Sequence, residues 1–295
     1  MLILISDALD ESLPKKLARF GEVTDDKSRL PEADVVIVRS KTKCTKEWID
    51  QAKNLKLIIR GGVGLDNVDL GYAKEKGVIV RNTPKASGIA VAELAFGLML
   101  AAASLIIPAH EGMKEGKWLK KQLKRSELHG KTLCLVGMGN IATEVAKRAR
   151  AFGMNVVAYR RSGKPSDYAD VKPSLKEAVK DADYVSLHLP LTDETKGMID
   201  ASIIEAMKDG AVLINTGRAG TVDAEAVRAA LESGKLRAYA TDVWPKDPPP
   251  EDYPLLHAPN VIMTPHIGAN TKENQLRIGD EIVSIIQEYV NGGVL

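Results

Sequence analysis

Three segments of this 295-residue chain place reactive side chains directly after short apolar runs. Asn215-Thr216-Gly217-Arg218-Ala219-Gly220 follows the run AVLI. Thr241 to Pro248 carries Asp242 and Asp247, and Thr264-Pro265-His266-Ile267-Gly268 follows NVIM. An arginine, a carboxylate and a histidine together suit reduction of a 2-keto acid. The guanidinium can grip a carboxylate with two hydrogen bonds, and the imidazole can protonate a developing alkoxide. A carboxylate beside the imidazole raises its pKa and fixes its tautomer. His266 stands out by its strand-end context, whereas His110, His129 and His257 lie in connecting segments and read as solvated or structural. No His/Cys cluster has metal-ligand spacing, so no metal is expected.

A second constellation suggests what would deliver the electrons. The run Thr132–Val136 feeds Gly137-Met138-Gly139-Asn140-Ile141-Ala142 and then a helix-forming stretch. Gly137 permits a tight turn, Gly139 lets backbone approach a pyrophosphate, and a helix N-terminus offers N–H groups to the anion. This strand–turn–helix context predicts dinucleotide binding. The next strand ends in Arg160-Arg161-Ser162. An acidic residue is expected about 20 residues after the glycines, to accept hydrogen bonds from the adenosine ribose. Arg160 stands there instead; a guanidinium pairs with a 2′-phosphate that a carboxylate would repel. The expectation is NADP(H), with NAD(H) possible through other contacts.

Ten apolar runs must position these groups: Leu2–Ser6, Val35–Val38, Leu57–Ile59, Val78–Val80, Thr132–Val136, Val156–Tyr159, Tyr184–Leu187, Ala211–Ile214, Ala238–Thr241 and Val261–Met263. Their continuous apolarity is that of strands covered on both faces, and their alternation with helical segments implies parallel sheets. The predicted fold is α/β: two Rossmann-like domains with parallel sheets and a cleft between them. An apolar helix over about Ile89–Glu115 separates four strands from six, and Lys272–Tyr289 reads as a closing amphipathic helix. The three prolines after Asp247 fix a stiff loop.

The motifs resemble the D-isomer-specific 2-hydroxyacid dehydrogenase family over nearly the whole chain. They include VRSKTK at 38–43, RGGVGLDNVD at 60–69, NTP at 82–84, VAEL at 91–94, LHGKTLCLVGMGNIA, HLPLTDETKGMI, INTGRAGTVD, TDV and NVIMTPHIGANT. The resemblance implies hydride transfer between a nicotinamide and the substrate's second carbon. It makes His266 the acid/base, Arg218 the carboxylate clamp and Asp247 the carboxylate that orients His266. Family members carry Glu at that last position; Asp is one methylene, roughly 1.5 Å, shorter, so a loop shift or a water is expected to close the gap. The resemblance further implies substrate contacts at Arg39, Arg60, Val63 and Gly64, the last two through backbone amides. Asp242 would meet the nicotinamide amide, and His188, Leu189 and Pro190 would line the adenosine side. Thr195, Thr216, Gly217 and Gly268 complete the cofactor contacts. The domains implied are a discontinuous substrate-binding domain, 1–89 plus 269–295, and a dinucleotide-binding domain, 90–268, with hinges near 85–90 and 265–270. A two-fold homodimer through the helix 89–115 is also implied.

Composition narrows the rest. Forty-one basic against 39 acidic side chains give a net charge of +2, unlike the concentrated basic surplus of a nucleic-acid protein. Two cysteines make no disulfide framework. The N-terminus lacks signal-peptide features, so a cytoplasmic protein is expected. The uncharged stretch Leu94–Ile107 covers 14 residues, short of the roughly 20 that span a bilayer; a buried helix is expected there, and no membrane partner. Two substrate cues conflict. Arg39, Lys41, Lys43 and Arg60 resemble the phosphate-facing segments of phosphoglycerate dehydrogenases, and 3-phosphoglycerate/3-phosphohydroxypyruvate is the first reading. NADPH preference suits a glyoxylate or hydroxypyruvate reductase. A non-enzymatic, dinucleotide-sensing protein of the corepressor kind is the alternative outside enzymology.

Overall fold

In a computed structural model, residues 1–292 are described, and they divide into two compact units. The first takes Met1–Ser87 together with the chain from Ala269; the second is Gly88–Gly268.

The first unit carries a five-stranded sheet of β1 (Leu2–Ile5), β2 (Glu22–Thr24), β3 (Val35–Val38), β4 (Leu57–Arg60) and β5 (Ile79–Asn82). The order is β2-β1-β3-β4-β5 and every pairing is parallel. Strand alternation sends Leu2, Leu4, Val36, Val38 and Ile58 to one face, under Leu30, Ile49 and Ala73. Ile3, Val35, Ile37, Leu57 and Ile59 take the other, against Leu13, Leu17, Ile278, Ile282 and Ile286. Both faces are therefore buried, as the unbroken apolar runs require.

The second unit carries seven parallel strands: β6 (Thr132–Val136), β7 (Asn155–Tyr159), β8 (Asp170–Lys172), β9 (Tyr184–Leu187), β10 (Ala211–Asn215), β11 (Leu236–Thr241) and β12 (Val261–Met263). Their order is β12-β11-β10-β9-β6-β7-β8. Renumbered from β6, this is the 3-2-1-4-5-6 order of dinucleotide-binding sheets with one strand added, and its direction reverses between β6 and β9. Helices Gly88–Ser104 and Asn140–Ala151 pack on the face of Leu133, Leu135, Val212 and Ile214. Cys134, Val136, Val185 and Leu213 face the opposite layer. Burial pushes the Cys134 thiol up to about 12, so it is an inert core group.

Among the described residues twelve strands replace the ten expected. The two additional ones, β2 and β8, are edge strands of three residues each, half-exposed and without an apolar run, so hydrophobic patterning had nothing to register. The expected helix over Ile89–Glu115 is also corrected. It is two helices, Gly88–Ser104 and Ile106–Lys114, bent by 64° at Leu105. Leu105 takes a left-handed conformation with φ 53°. Pro108 explains the break, because its ring would clash with the carbonyl four residues back in a continuous helix but fits the first turn of a new one. Ten residues of the first helix are buried, whereas the second leaves Ile106, Ile107 and Met113 exposed. Among the described residues no single helix is long and apolar enough to cross a membrane.

Candidate active site

The sequence-singled residues of the second unit all stand at the carboxyl ends of its strands. Gly137, Gly139, Asn140 and Ile141 follow β6, and Arg160, Arg161 and Ser162 follow β7. His188, Leu189, Pro190 and Thr195 follow β9; Thr216, Gly217 and Arg218 follow β10; Asp242 and Asp247 follow β11; His266 and Gly268 follow β12. In parallel sheets this edge is where ligands bind, at the point of reversal.

The turn after β6 fits a pyrophosphate. Gly137 has φ +93°, and a Cβ on it would lie 2.6 Å from the His188 carbonyl oxygen. Only glycine lets β6 and β9 approach this closely at their ends. A Cβ on Gly139 would meet nothing, and helix Asn140–Ala151 starts there with no side-chain cap. Its first-turn N–H groups thus open onto space an anion can take. Beyond β7, Arg161 forms an ion pair with Glu194. The half-buried Arg160 has no ion pair among the described residues, and no acidic residue replaces it at the strand tip. Thr195 spends its hydroxyl on its own turn, donating to the Pro190 carbonyl at 2.6 Å and accepting from the Thr192 N–H.

His188 shares a 2.9 Å hydrogen bond with Ser186 Oγ through Nε2, while its Nδ1 is buried without a partner. Burial lowers its pKa to about 4, because the charged imidazolium would lose its water.

The reactive groups are organised by Asp242. This aspartate is 2% exposed. Its Oδ1 accepts from Thr264 Oγ1 at 2.6 Å and from the Ile267 N–H at 2.8 Å; its Oδ2 accepts from the Gly268 N–H at 2.8 Å. The carboxylate thus holds both flanks of His266, whose φ of 56° puts it in the left-handed region. That conformation is uncommon for a residue with a side chain and persists only where the surroundings impose it. Trp244 Nε1 donates to the Thr264 carbonyl at 3.0 Å and packs edge-on against Tyr253, tying the prolyl loop to the same turn. Here Asp247 Oδ2 meets His266 Nδ1 at 2.6 Å. The contact is direct, with neither water nor gap, despite the shorter side chain. The pair is about half exposed, at 47% and 53%, which leaves the imidazole accessible. Arg218 lies half-buried on β10's turn. Its carbonyl accepts from Asn215 Nδ2 and Thr221 Oγ1, and its Nη1 donates to the Gly217 carbonyl at 2.8 Å.

In the first unit, Arg39 follows β3 and Arg60 ends β4. Asp7, 5% exposed, accepts from the Arg39 N–H, the Thr42 N–H and the Thr42 hydroxyl. Burial alone would raise its pKa; these bonds outweigh it and hold Asp7 below the ordinary carboxylate range. Asn67 Nδ2 donates to the carbonyls of Arg39 and Thr42. Asn67 therefore fixes the 39–42 loop. Asn82 Nδ2 donates to the Val63 carbonyl, which orients the Val63–Gly64 turn, and Gly62 leaves room for the Arg60 guanidinium that a Cβ would strike. Asp7, Asp242 and Trp244 escaped sequence reasoning as positioning groups. The one usable signal was a carboxylate directly following a strand, as in Ser6-Asp7 and Thr241-Asp242.

Comparison with known proteins converges on one group. Residues 96–268 match the family described as D-isomer specific 2-hydroxyacid dehydrogenase, NAD binding domain. A hydroxypyruvate reductase of Thermotoga maritima is 50% identical over 87% of this chain and 85% of its own length. A D-3-phosphoglycerate dehydrogenase of Methanocaldococcus jannaschii is 43% identical over 98% of this chain, which spans only 57% of that relative. The crystal structure of a glyoxylate reductase from Paecilomyes thermophila superposes with a TM-score of 0.89 at 29% identity, covering 100% of this chain and 97% of the other.

His188 makes acid sensitivity testable. Between its ordinary pKa of 6.5 and the folded value of about 4, the unfolded chain binds a proton that the folded protein does not. Stability should therefore fall as pH drops through that window, and the group contributes no pH dependence above it. Denaturant midpoints measured from pH 8 to pH 4.5 should decline less steeply for His188→Gln than for the parent; parallel declines would exclude the assignment.

Proposed function

The chain belongs to the D-isomer specific 2-hydroxyacid dehydrogenase family, and on that premise we propose that it reduces hydroxypyruvate, with glyoxylate as a smaller alternative, at the expense of NADPH. The observation that carries the reading is the direct 2.6 Å contact between Asp247 Oδ2 and His266 Nδ1. It assembles a proton donor at the same strand-end edge as Arg218, in a unit with the dinucleotide-sheet order. The choice of hydroxypyruvate draws support from the Thermotoga relative, matched over most of its length.

A nicotinamide held by the second unit would supply a hydride for the carbonyl carbon. Arg218 grips the substrate carboxylate and turns the carbonyl towards His266. With Nδ1–H donated to Asp247, the protonated imidazole keeps its second proton on Nε2, from which it passes to the oxygen as alkoxide charge develops. Asp247 stabilises the imidazolium before that transfer and keeps the correct tautomer after it. Asp242 maintains the turn on which the imidazole is mounted. Gly137, Gly139, Asn140 and Ile141 would hold the pyrophosphate, Arg160 a 2′-phosphate with Arg161 and Ser162 beside it, and His188, Leu189, Pro190 and Thr195 the adenosine side. Thr216, Gly217, Asp242 and Gly268 would take the nicotinamide half. On the first unit, Arg39, Arg60 and the Val63–Gly64 backbone are the proposed substrate ligands.

A second reading, oxidation of 3-phosphoglycerate or reduction of its keto acid, is favoured by the cationic loop Arg39–Lys43 and by the Methanocaldococcus relative. A homodimer is proposed from the outward apolar face of helix Ile106–Lys114 and from Trp118, which is 74% exposed. Light scattering should then return about twice the 31.9 kDa chain mass; a monomer at micromolar concentration would overturn it.

His266→Ala should lower kcat by about 10²–10⁴, the range for loss of a general acid. Arg218→Ala should mainly collapse kcat/KM for keto acids. Near-parental values in a stopped assay would remove either role, and tight cofactor binding with no turnover at all would favour the sensor alternative. A steady-state grid of NADH and NADPH against hydroxypyruvate, glyoxylate and 3-phosphohydroxypyruvate decides cofactor and substrate together. Arg160→Asp should move preference towards NADH; a parent enzyme already preferring NADH would refute the 2′-phosphate assignment.

A further inference from the structure

Asp247 stands on the loop between β11 and β12, and that loop has few bonds of its own. Among the described residues, the backbone of 245–249 makes no hydrogen bond, and its prolines have no N–H to offer. The loop is fixed at its two ends. Before it, Thr241 Oγ1 accepts from the Val243 N–H at 3.2 Å; after it, the buried Leu255 enters the core. Both ends meet at one indole, because Trp244 packs edge-on against Tyr253 with ring centroids 6.1 Å apart. Trp244 Nε1 donates to the Thr264 carbonyl at 3.0 Å, and the His266 N–H donates to that same oxygen at 3.1 Å. The Thr264 N–H is in turn bound to the Thr241 carbonyl. One anchored carbonyl therefore joins the base of the Asp247 loop to the turn that carries His266.

We propose that Trp244 is the positioning residue that sets the span across which Asp247 reaches His266, and that its indole bond is what lets the shorter acidic side chain fit. The inference rests on the reductase reading, since it concerns the carboxylate–imidazole pair of that reaction. Trp244 lies three positions before Asp247, and Thr264 two before His266. The indole bond thus closes a small frame with the pair on its far side. Across that frame Asp247 Oδ2 meets His266 Nδ1 at 2.6 Å, which leaves no slack. A glutamate would extend about 1.5 Å further and would have to buckle. Without the indole N–H, the base of the loop is released from the Thr264 carbonyl, and the stiff prolyl segment carries Asp247 away as a lever. A shift of about 1 Å breaks a hydrogen bond of this length. The imidazole then loses the partner that keeps its proton on Nδ1. Trp244 acts through the pair rather than on the substrate.

Trp244→Phe keeps an aromatic ring against Tyr253 and removes the donor. Nuclear magnetic resonance of protein carrying isotope-labelled histidine, at alkaline pH, reads which ring nitrogen of His266 keeps the proton, without substrate or turnover. The parent should hold it on Nδ1. Trp244→Phe should move it largely to Nε2, and Trp244→Phe/Asp247→Glu should return it to Nδ1, because the longer side chain spans the released gap. In steady state, Trp244→Phe should lower kcat about ten-fold while KM for hydroxypyruvate stays within about two-fold. The added glutamate should recover most of that loss, whereas Asp247→Glu in the parent should bring no gain. A parent with the proton on Nε2, or a folded Trp244→Phe protein that keeps it on Nδ1, would overturn the proposal. So would a glutamate that fails to restore the proton, or one that raises kcat equally in both backgrounds. If circular dichroism shows Trp244→Phe unfolded, benzothienylalanine at position 244 keeps the bicyclic shape without the N–H and gives the same readings. Movement of the proton in a protein that turns over no keto acid would reject the reductase reading and leave the tether standing. Turnover by a parent whose proton is unmoved in Trp244→Phe would do the reverse.

Discussion

A buried carboxylate survives in a protein only when its lone pairs are filled; left unpaired, it costs several kcal/mol. Asp242 meets that condition by binding the turn after the neighbouring strand, through Thr264, Ile267 and Gly268. The requirement of the carboxylate becomes a constraint on the backbone. His266 is held in a conformation it would otherwise avoid, and the imidazole is aimed at Asp247 as a result. A Cβ on Gly268 would lie 2.9 Å from Asp242 Oδ2, so the small residue at that position belongs to the same arrangement.

The same logic recurs on a smaller scale in the first unit. Asp7 sits at the end of β1 and binds the loop after β3, as Asp242 sits at the end of β11 and binds the turn after β12. In both cases an acidic side chain at one strand tip fixes the connection leaving its parallel neighbour. Reactive or cationic side chains are then displayed from loops whose backbone cannot drift. Loops carry the chemistry because they can vary, and they are precise only where such cross-strand bonds reach them.

Much of this architecture could be read from residue order. Unbroken β-branched runs such as Val35–Val38 and Ala211–Ile214 announce strands buried on both faces, and Gly137-Met138-Gly139 between a strand and a helix announces the dinucleotide turn. What escaped had little apolar surface to betray it. β2 and β8 are short and half-exposed, so their register depends on one neighbour rather than on a core. The break at Leu105 was masked by continuous apolarity, although Pro108 marked it. The turn-holding role of Asp242 depends on residues about 25 positions away, and no local pattern encodes a contact at that range. The Asp247–His266 contact is similar: its residue types were legible, but whether the shorter side chain reaches was a matter of backbone path.

The divided first unit has a consequence for synthesis. Its β-strands lie within the first 82 residues, but one face of the sheet is completed by Ile278, Ile282 and Ile286 from helix Lys272–Val290. A chain emerging from the ribosome therefore presents Ile3, Ile37 and Ile59 covered only by Leu13, Leu17 and their near neighbours while the whole second unit is still being made. The intervening unit, continuous in sequence, can close its own core first. The nascent protein thus runs against the N-terminal-first habit of multidomain chains, and its partly covered aliphatic sheet waits through the synthesis of Gly88–Gly268.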